Sequence, residues 1–272
     1  MKTEITTTEN IALEHTIPDG LEKEQKVLFI HSSGHGSWMW KNFLPYFAER
    51  GYDAWALNLR GHHLAPKVEE WGSVGAQEYL EDIKEAVNIT GDNIVLIGHS
   101  MSGVLILKYA ESNNVSGLIV SQSGPPKPIL DRKGISLTGP APNKKPATGN
   151  SIPPLRDRAK VEAMLFDKGN VDEESINLVL KMSCEESARV GKEIMGMDIN
   201  SKKIAAPVFI LGYDTSKIGV QAGMDLNKIL VEEFNAKDFK VIEPGGHDYM
   251  LERNWPDFAE QFESWVCSVV SE

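Results

Sequence analysis

The chain has 272 residues, 41% of them apolar and 25% charged, with a formal net charge of −11. A chain of this size and apolar content can bury a core without disulfides or metals, and its negative charge argues against nucleic acid or an anionic membrane as a standing partner. Cys184 and Cys267 are the only two cysteines; they have no metal-ligand spacing and no disulfide framework, which points to reduced thiols and a cytoplasmic location. Residues 1–24 lack the basic start and apolar run of a secretory signal. Apolar runs such as Val27–Ile30 are strand-sized, so no integral membrane association is expected.

Short apolar runs alternate with helix-period segments along the chain, which predicts α/β architecture around a mostly parallel sheet. Residues 5–17 read as a pair of opening strands closed by the turn Pro18-Asp19-Gly20. Val27–Ile30 is apolar without alternation, as expected of a strand covered on both faces. Met39–Arg50 reads as a helix stopped by Gly51, Ala54–Leu59 as a strand, and Gln77–Ile89 as a helix ended by Gly91. Ile94–Ile97 is the next buried strand, Ser102–Glu111 a buried helix and Gly117–Val120 a further strand. Later, Val208–Leu211 and Phe239–Ile242 repeat the strand signal, with helices near Gly223–Phe234 and Pro256–Val270.

From Pro125 to Ala206 the pattern changes. Eight prolines fall between Pro125 and Pro154 and predict a long loop without regular structure. Short helices are expected near Arg158–Asp167, Asp172–Cys184 and Glu185–Met195, with Asp172 as an N-cap. Residues 125–206 are therefore expected to form a small helical cap insertion over the sheet's C-terminal edge. Residues 1–124 and 207–272 would form the core domain.

One segment carries chemistry. Ile94–Gly103 reads as a buried strand, a tight G-x-S-x-G turn and a buried helix, with Gly98 and Gly103 flanking Ser100. A strand that turns directly into a helix strains its turn residue and lifts that hydroxyl above the sheet. β-Carbons at the flanking glycines would collide with neighbouring backbone. The same turn places the Met101 N–H at a helix N-terminus, where it can face a developing oxyanion.

With these residues in place, the chain resembles the α/β-hydrolase superfamily along nearly its whole length, in particular small bacterial esterases and lysophospholipase-like hydrolases with a short helical cap. His31-Ser32-Ser33-Gly34 stands where the superfamily builds half of its oxyanion hole, and Leu57–His62 where it commonly shows D-L-R-G-H-G. Pro244–Glu252 matches its G-G/A-H-x-x-x-x-E segment. The resemblance implies Ser100 as nucleophile, His247 as base, and the Ser33 and Met101 amides as oxyanion donors. Asp214 is the candidate acid by chain order, although an ungapped comparison puts Ser216 where many relatives have aspartate, so a lost acid stays open. Asp248 reads as a loop residue, and His62 and His63 as bordering the pocket. Ser32, His35, Trp38 and Phe166 are candidate substrate contacts.

The implied reaction cleaves a carboxylic ester, thioester, lactone or lysolipid through an acyl-enzyme, on a small, partly apolar substrate and without cofactor or metal. A lyase, a cyclase, a carbon–carbon bond hydrolase or a small-molecule receptor on the same fold are the alternatives.

Overall fold

The computed structural model of the chain describes residues 1–20, 23–135, 149–213 and 225–270. Its first half contains β1 (Lys2–Thr7), β2 (Ala12–Ile17), β3 (Lys26–Ile30), α1 (Phe43–Glu49), β4 (Asp53–Asn58), α2 (Ala76–Thr90), β5 (Ile94–His99), α3 (Met101–Ala110) and β6 (Gly117–Ser121). There follow α4 (Lys127–Arg132), β7 (Ser151–Ile152), α5 (Arg158–Leu165), α6 (Glu173–Met182), β8 (Glu186–Ser187) and α7 (Ala188–Met195). The chain then returns to the sheet with β9 (Val208–Leu211), α8 (Leu226–Phe234), β10 (Asp238–Lys240) and α9 (Trp255–Val270). The eight-stranded sheet runs in the order β1-β2-β4-β3-β5-β6-β9-β10. From β4 to β10 its neighbours are parallel, while β1 and β2 are antiparallel additions at one edge.

The unalternating apolar runs follow from two buried faces. Along β3, Val27 and Phe29 join one apolar cluster and Leu28 and Ile30 the other, because successive side chains point to opposite sides of a strand. One cluster collects residues of α2, α3 and α8; the other collects α1, α9 and Trp40. β5, β6 and β9 are buried along their whole length, sandwiched between the two clusters, while β10 at the edge is partly exposed.

Several expected elements take a different form. Pro18-Asp19-Gly20 follows β2 rather than closing the opening pair; Thr8 makes that turn, its N–H bonding Ile11 O at 3.0 Å. The helix expected over 39–50 splits into a 3₁₀ turn, Ser37–Trp40, and α1. Pro45 has no N–H to offer the carbonyl four residues earlier, so a continuous helix would lack that bond. Within the proline-rich stretch, α4 forms with Pro128 in its first turn, where a missing N–H costs nothing. Glu186 and Ser187 pair with Ile152 and Ser151 in a two-stranded ribbon, so α7 begins after them instead of at Glu185.

Core and edge should respond very differently to truncation. Leu28 is fully buried in the middle of the sheet and Ile5 on β1 is 57% exposed. Leu28→Ala is expected to cost about 2–5 kcal/mol in urea unfolding, and Ile5→Ala less than about 0.5 kcal/mol.

Candidate active site

β5 passes into α3 through Ser100 alone, whose backbone sits at φ 55°, ψ −113°. That left-handed conformation is costly for a residue with a β-carbon, and it persists only when surroundings enforce it. Here they do. The Ser100 N–H bonds Ser121 O at 2.8 Å, and the Ser100 carbonyl accepts from Ser123 Oγ at 2.5 Å and from Gly103 N at 3.1 Å. Counted residue by residue, the turn is G-x-S-x-S-G: Ser102 occupies the place of the expected second glycine. Its hydroxyl donates to His31 O at 2.5 Å and ties the turn to the neighbouring loop. A β-carbon on Gly98 would lie 2.5 Å from Ser102 O, the backbone collision expected there. On Gly103 it would instead meet a side chain, Ser123 Oγ, at 1.9 Å.

The loop after β3 is organised by two histidines. His31 is fully buried; its Nδ1–H donates to Ser32 O at 2.7 Å while Nε2 accepts from Leu59 N–H at 3.2 Å. Burial, reinforced by nearby His62, pushes its pKa well below the ordinary histidine value, so the ring is neutral. Ser32 O also accepts from His35 N at 3.2 Å. The Ser32–Ser33 peptide is trans, so its N–H points away from its doubly bonded carbonyl. The Ser33 amide is therefore turned away from His31 and His35. At the other side of the turn, Met101 is the first residue of α3, whose opening N–H groups have no intrahelical acceptor.

His247 follows Gly245-Gly246. A β-carbon on Gly246 would lie 2.6 Å from both Leu165 O and Phe166 Cα, so only glycine lets the α5 terminus pack this closely. The Gly246 N–H bonds Glu252 Oε2 at 3.1 Å, and Glu252 Oε1 accepts from Asp167 N at 2.5 Å. The His247 carbonyl accepts from His99 Nε2 at 2.8 Å, and the two rings are 4.7 Å apart between centroids. The predicted base is thus brought beside the residue immediately preceding Ser100. Among the described residues no hydrogen bond joins Ser100 Oγ to the His247 ring. Burial lowers the His247 pKa below its ordinary value, with Asp248 acting to raise it and His35 to lower it. His99, fully buried with Nδ1 unpartnered, is held well below the ordinary value by burial and by His247.

Asp248 has a larger part than a loop residue. It is fully buried, and its Oδ2 pairs with His35 Nε2 at 2.9 Å, while His35 Nδ1 donates to Ser33 O at 2.8 Å. Burial would lower the His35 pKa, but Asp248 and the Ser33 carbonyl outweigh it and raise it. Burial would likewise raise the Asp248 carboxyl, but His35 holds it below the usual carboxylate range. A buried, hydrogen-bonded histidine–carboxylate pair therefore links the Ser33 loop to the His247 loop. Sequence reasoning passed over it, yet one signal was available: a carboxylate directly preceding the apolar triplet Tyr249-Met250-Leu251.

The remaining predicted contacts are placed as follows. Ser32, His35, Trp38 and Phe166 are all buried, with Trp38 stacked on His35 at 5.0 Å between centroids. His62 is fully buried against Glu186, with Nε2 to Oε2 at 3.2 Å, rather than lining an opening. Asp214 lies outside the described residues. The backbone leading to it is anchored by buried Asn227, whose amide donates to Tyr213 O at 2.8 Å.

The profile of the alpha/beta hydrolase family matches residues 27–261, and the chain belongs to that family. A rice protein, "Probable esterase PIR7A" (Oryza sativa subsp. indica), is 35% identical over 81 residues, covering 28% of this chain and 30% of the rice protein. The likeness thus spans less than a third of that relative. The thioesterase domain from the curacin biosynthetic pathway superposes with a TM-score of 0.65 at 19% identity, covering 98% of this chain and 100% of that one. The monoacylglycerol lipase of Paleococcus ferrophilus does so with a TM-score of 0.65 at 17% identity, covering 99% and 100%. At these identities the two structures report shared fold.

Two stability measurements follow from the geometry. Ser100→Gly, which relieves the left-handed strain, is expected to raise unfolding free energy by about 1 kcal/mol, whereas Ser100→Ala, which keeps the β-carbon, is not. Asp248→Asn removes the carboxylate partner of buried His35 and is expected to cost about 3–5 kcal/mol between pH 3.8 and 6.5. In the unsubstituted protein, the raised His35 pKa contributes stability that is lost as pH rises through it. The lowered Asp248 pKa contributes stability that is lost as pH falls through it. The pair's contribution is therefore greatest between the two ordinary values, 3.8 and 6.5.

Proposed function

We propose that this protein hydrolyses a carboxylic ester or a related acyl bond (thioester, lactone or lysolipid) through an acyl-enzyme on Ser100. The observation that carries this reading is the Ser100 backbone, φ 55°, ψ −113°, at a junction of strand and helix. Such strain in a non-glycine residue has an evident use when the side chain must stand clear of its own backbone.

A neutral imidazole accepts the Ser100 proton as the hydroxyl oxygen attacks the acyl carbonyl; His247, its pKa lowered by burial, is in that form at neutral pH. The carbonyl becomes an oxyanion held by the Ser33 and Met101 amides. The protonated imidazole then gives its proton to the leaving group, and the acyl group stays on Ser100. Water, deprotonated by the same ring, attacks the acyl carbon; the acyl–Ser100 bond breaks, the ring returns the proton to the Ser100 oxygen, and the acid is freed. Asp214 is proposed to hold the second ring nitrogen of His247. The −11 charge and the two cysteines support a cytoplasmic enzyme acting on small molecules, with residues 125–206 as the cap that shapes its pocket.

A p-nitrophenyl ester series and a fluorophosphonate probe test the reading. Ser100→Ala and His247→Ala are each expected to lower kcat by at least about 10³-fold, and Ser100→Ala to abolish labelling. Turnover at the normal rate in Ser100→Ala would falsify the acyl-enzyme. Asp214→Asn is expected to lower kcat by up to about 10⁴-fold; normal turnover there moves the acid elsewhere. Because the base works only when neutral, kcat/KM should fall as pH drops through the His247 pKa, with the acid limb below the ordinary 6.5. An acid limb at or above 6.5 in a kcat/KM profile contradicts this assignment of the base.

A further inference from the structure

We propose that Glu186, carried by the segment inserted between β6 and β9, is a positioning residue that sets the loop bearing the Ser33 amide. This rests on the acyl-transfer reading above and adds to it a dependence of the oxyanion site on the cap.

Gly34, directly after Ser33, is held at both its N–H and its carbonyl by one short strap. Its N–H donates to Glu186 Oε2 at 3.1 Å and its carbonyl accepts from Cys184 N at 2.9 Å. Gly34 is at φ 68°, and a β-carbon there would lie 3.1 Å from Cys184 O, so the loop bends into the strap without a side chain between them. Glu186 is 2% exposed, and four donors fix it. Besides Gly34, His62 Nε2 reaches Oε2 at 3.2 Å, Tyr79 OH donates to Oε1 at 2.6 Å, and Ser187 N donates to Oε1 at 2.8 Å. Burial favours the protonated acid, but His62, Tyr79 and Ser187 prevail and hold the carboxyl below its ordinary range. The strap is itself pinned: Ser187 Oγ donates to Val74 O at 2.6 Å, and Glu186 pairs with Ile152 in the ribbon.

A buried carboxylate with four donors is costly to assemble unless each bond forms. That makes it a rigid reference point from which Gly34, and so the preceding amide, takes its position. An oxyanion donor displaced by about 1 Å loses on the order of 10²-fold in rate.

Two substitutions separate reach from charge. Glu186→Gln keeps an oxygen for Gly34 and His62 and gives up only the Ser187 N–H bond, while Tyr79 can turn its hydroxyl to accept from the new amide. Glu186→Asp keeps the charge but, one methylene shorter, no longer spans to Gly34. The measurement is kcat per labelled site, with sites counted by fluorophosphonate titration, and KM for p-nitrophenyl butyrate. Inhibition by a trifluoromethyl ketone, which forms a tetrahedral oxyanion, is measured in parallel. Glu186→Asp is expected to lower kcat about 10–100-fold with KM changed less than about threefold, and to weaken the ketone by a factor matching kcat. Glu186→Gln is expected to stay within about tenfold of the unsubstituted enzyme on both. Normal kcat per site in Glu186→Asp, or a loss confined to the number of labelled sites, overturns the positioning role. So does the reverse ranking of the two variants. Ser100→Ala run alongside keeps the levels apart: its full activity would overturn acyl transfer at Ser100, whereas its inactivity with an unimpaired Glu186→Asp overturns only the positioning role.

Discussion

A chain that leaves a buried strand and enters a buried helix with one residue between them has little choice of backbone at that residue. Ser100 takes the left-handed value this demands, at a cost on the order of 1–3 kcal/mol. The hydrogen bonds that fix its N–H and carbonyl, to Ser121, Ser123 and Gly103, are each worth roughly 0.5–1.5 kcal/mol. Together they are of the same order as the strain, so the turn is held by its neighbours and not by its own preference. The other parts of the site take their positions from this turn. Ser102 reaches the His31 carbonyl, and His99 reaches the His247 carbonyl, so both loops that flank Ser100 are hydrogen-bonded to residues of the turn itself.

The site's electrostatics follow from which histidines find acceptors. His31 donates once and accepts once, and His99 donates once with its other nitrogen enclosed; burial makes both neutral. His35 instead faces two acceptors, Ser33 O and Asp248, and is the one driven towards the charged form. His247 lies next to this pair and is acted on by both members with opposite sign. Those influences oppose each other, leaving burial as the leading effect, and burial favours the neutral ring.

Much of the fold was legible because its central parallel strands are enclosed on both faces, and enclosure writes itself as unbroken apolar runs such as Ile94–Ile97 and Val208–Leu211. The turn at Ser100 was legible for a related reason: few residues fit a backbone so constrained, and Gly98 is one of them. What escaped notice were the buried charges. Asp248 and Glu186 look like surface residues in sequence because nothing local marks their partners, His35 and His62, which lie 213 and 124 residues away. In sequence, Glu185-Glu186 reads as the start of a helix. Glu186 is instead the first residue of a two-residue ribbon strand and is buried, while Glu185, just outside that strand, is exposed, a stretch too brief to register as a period.

The same buried carboxylates bear on how the inserted segment behaves. Residues 165–170 hold the His247 loop, through Leu165 O to Asp248 N, Asp167 Oδ2 to Gly245 N, and Asn170 and Asp167 to Glu252. Residues 184–187 hold the Ser33 loop through Gly34. If either strap lifted, a nearly fully buried glutamate would lose most of its donors: Glu252 is 1% exposed and Glu186 2%. Stranding such a group costs more than an exposed loop gains by moving. The inserted segment is in this respect a component of the site's framework, and its packing and the geometry around Ser100 stand or fall together.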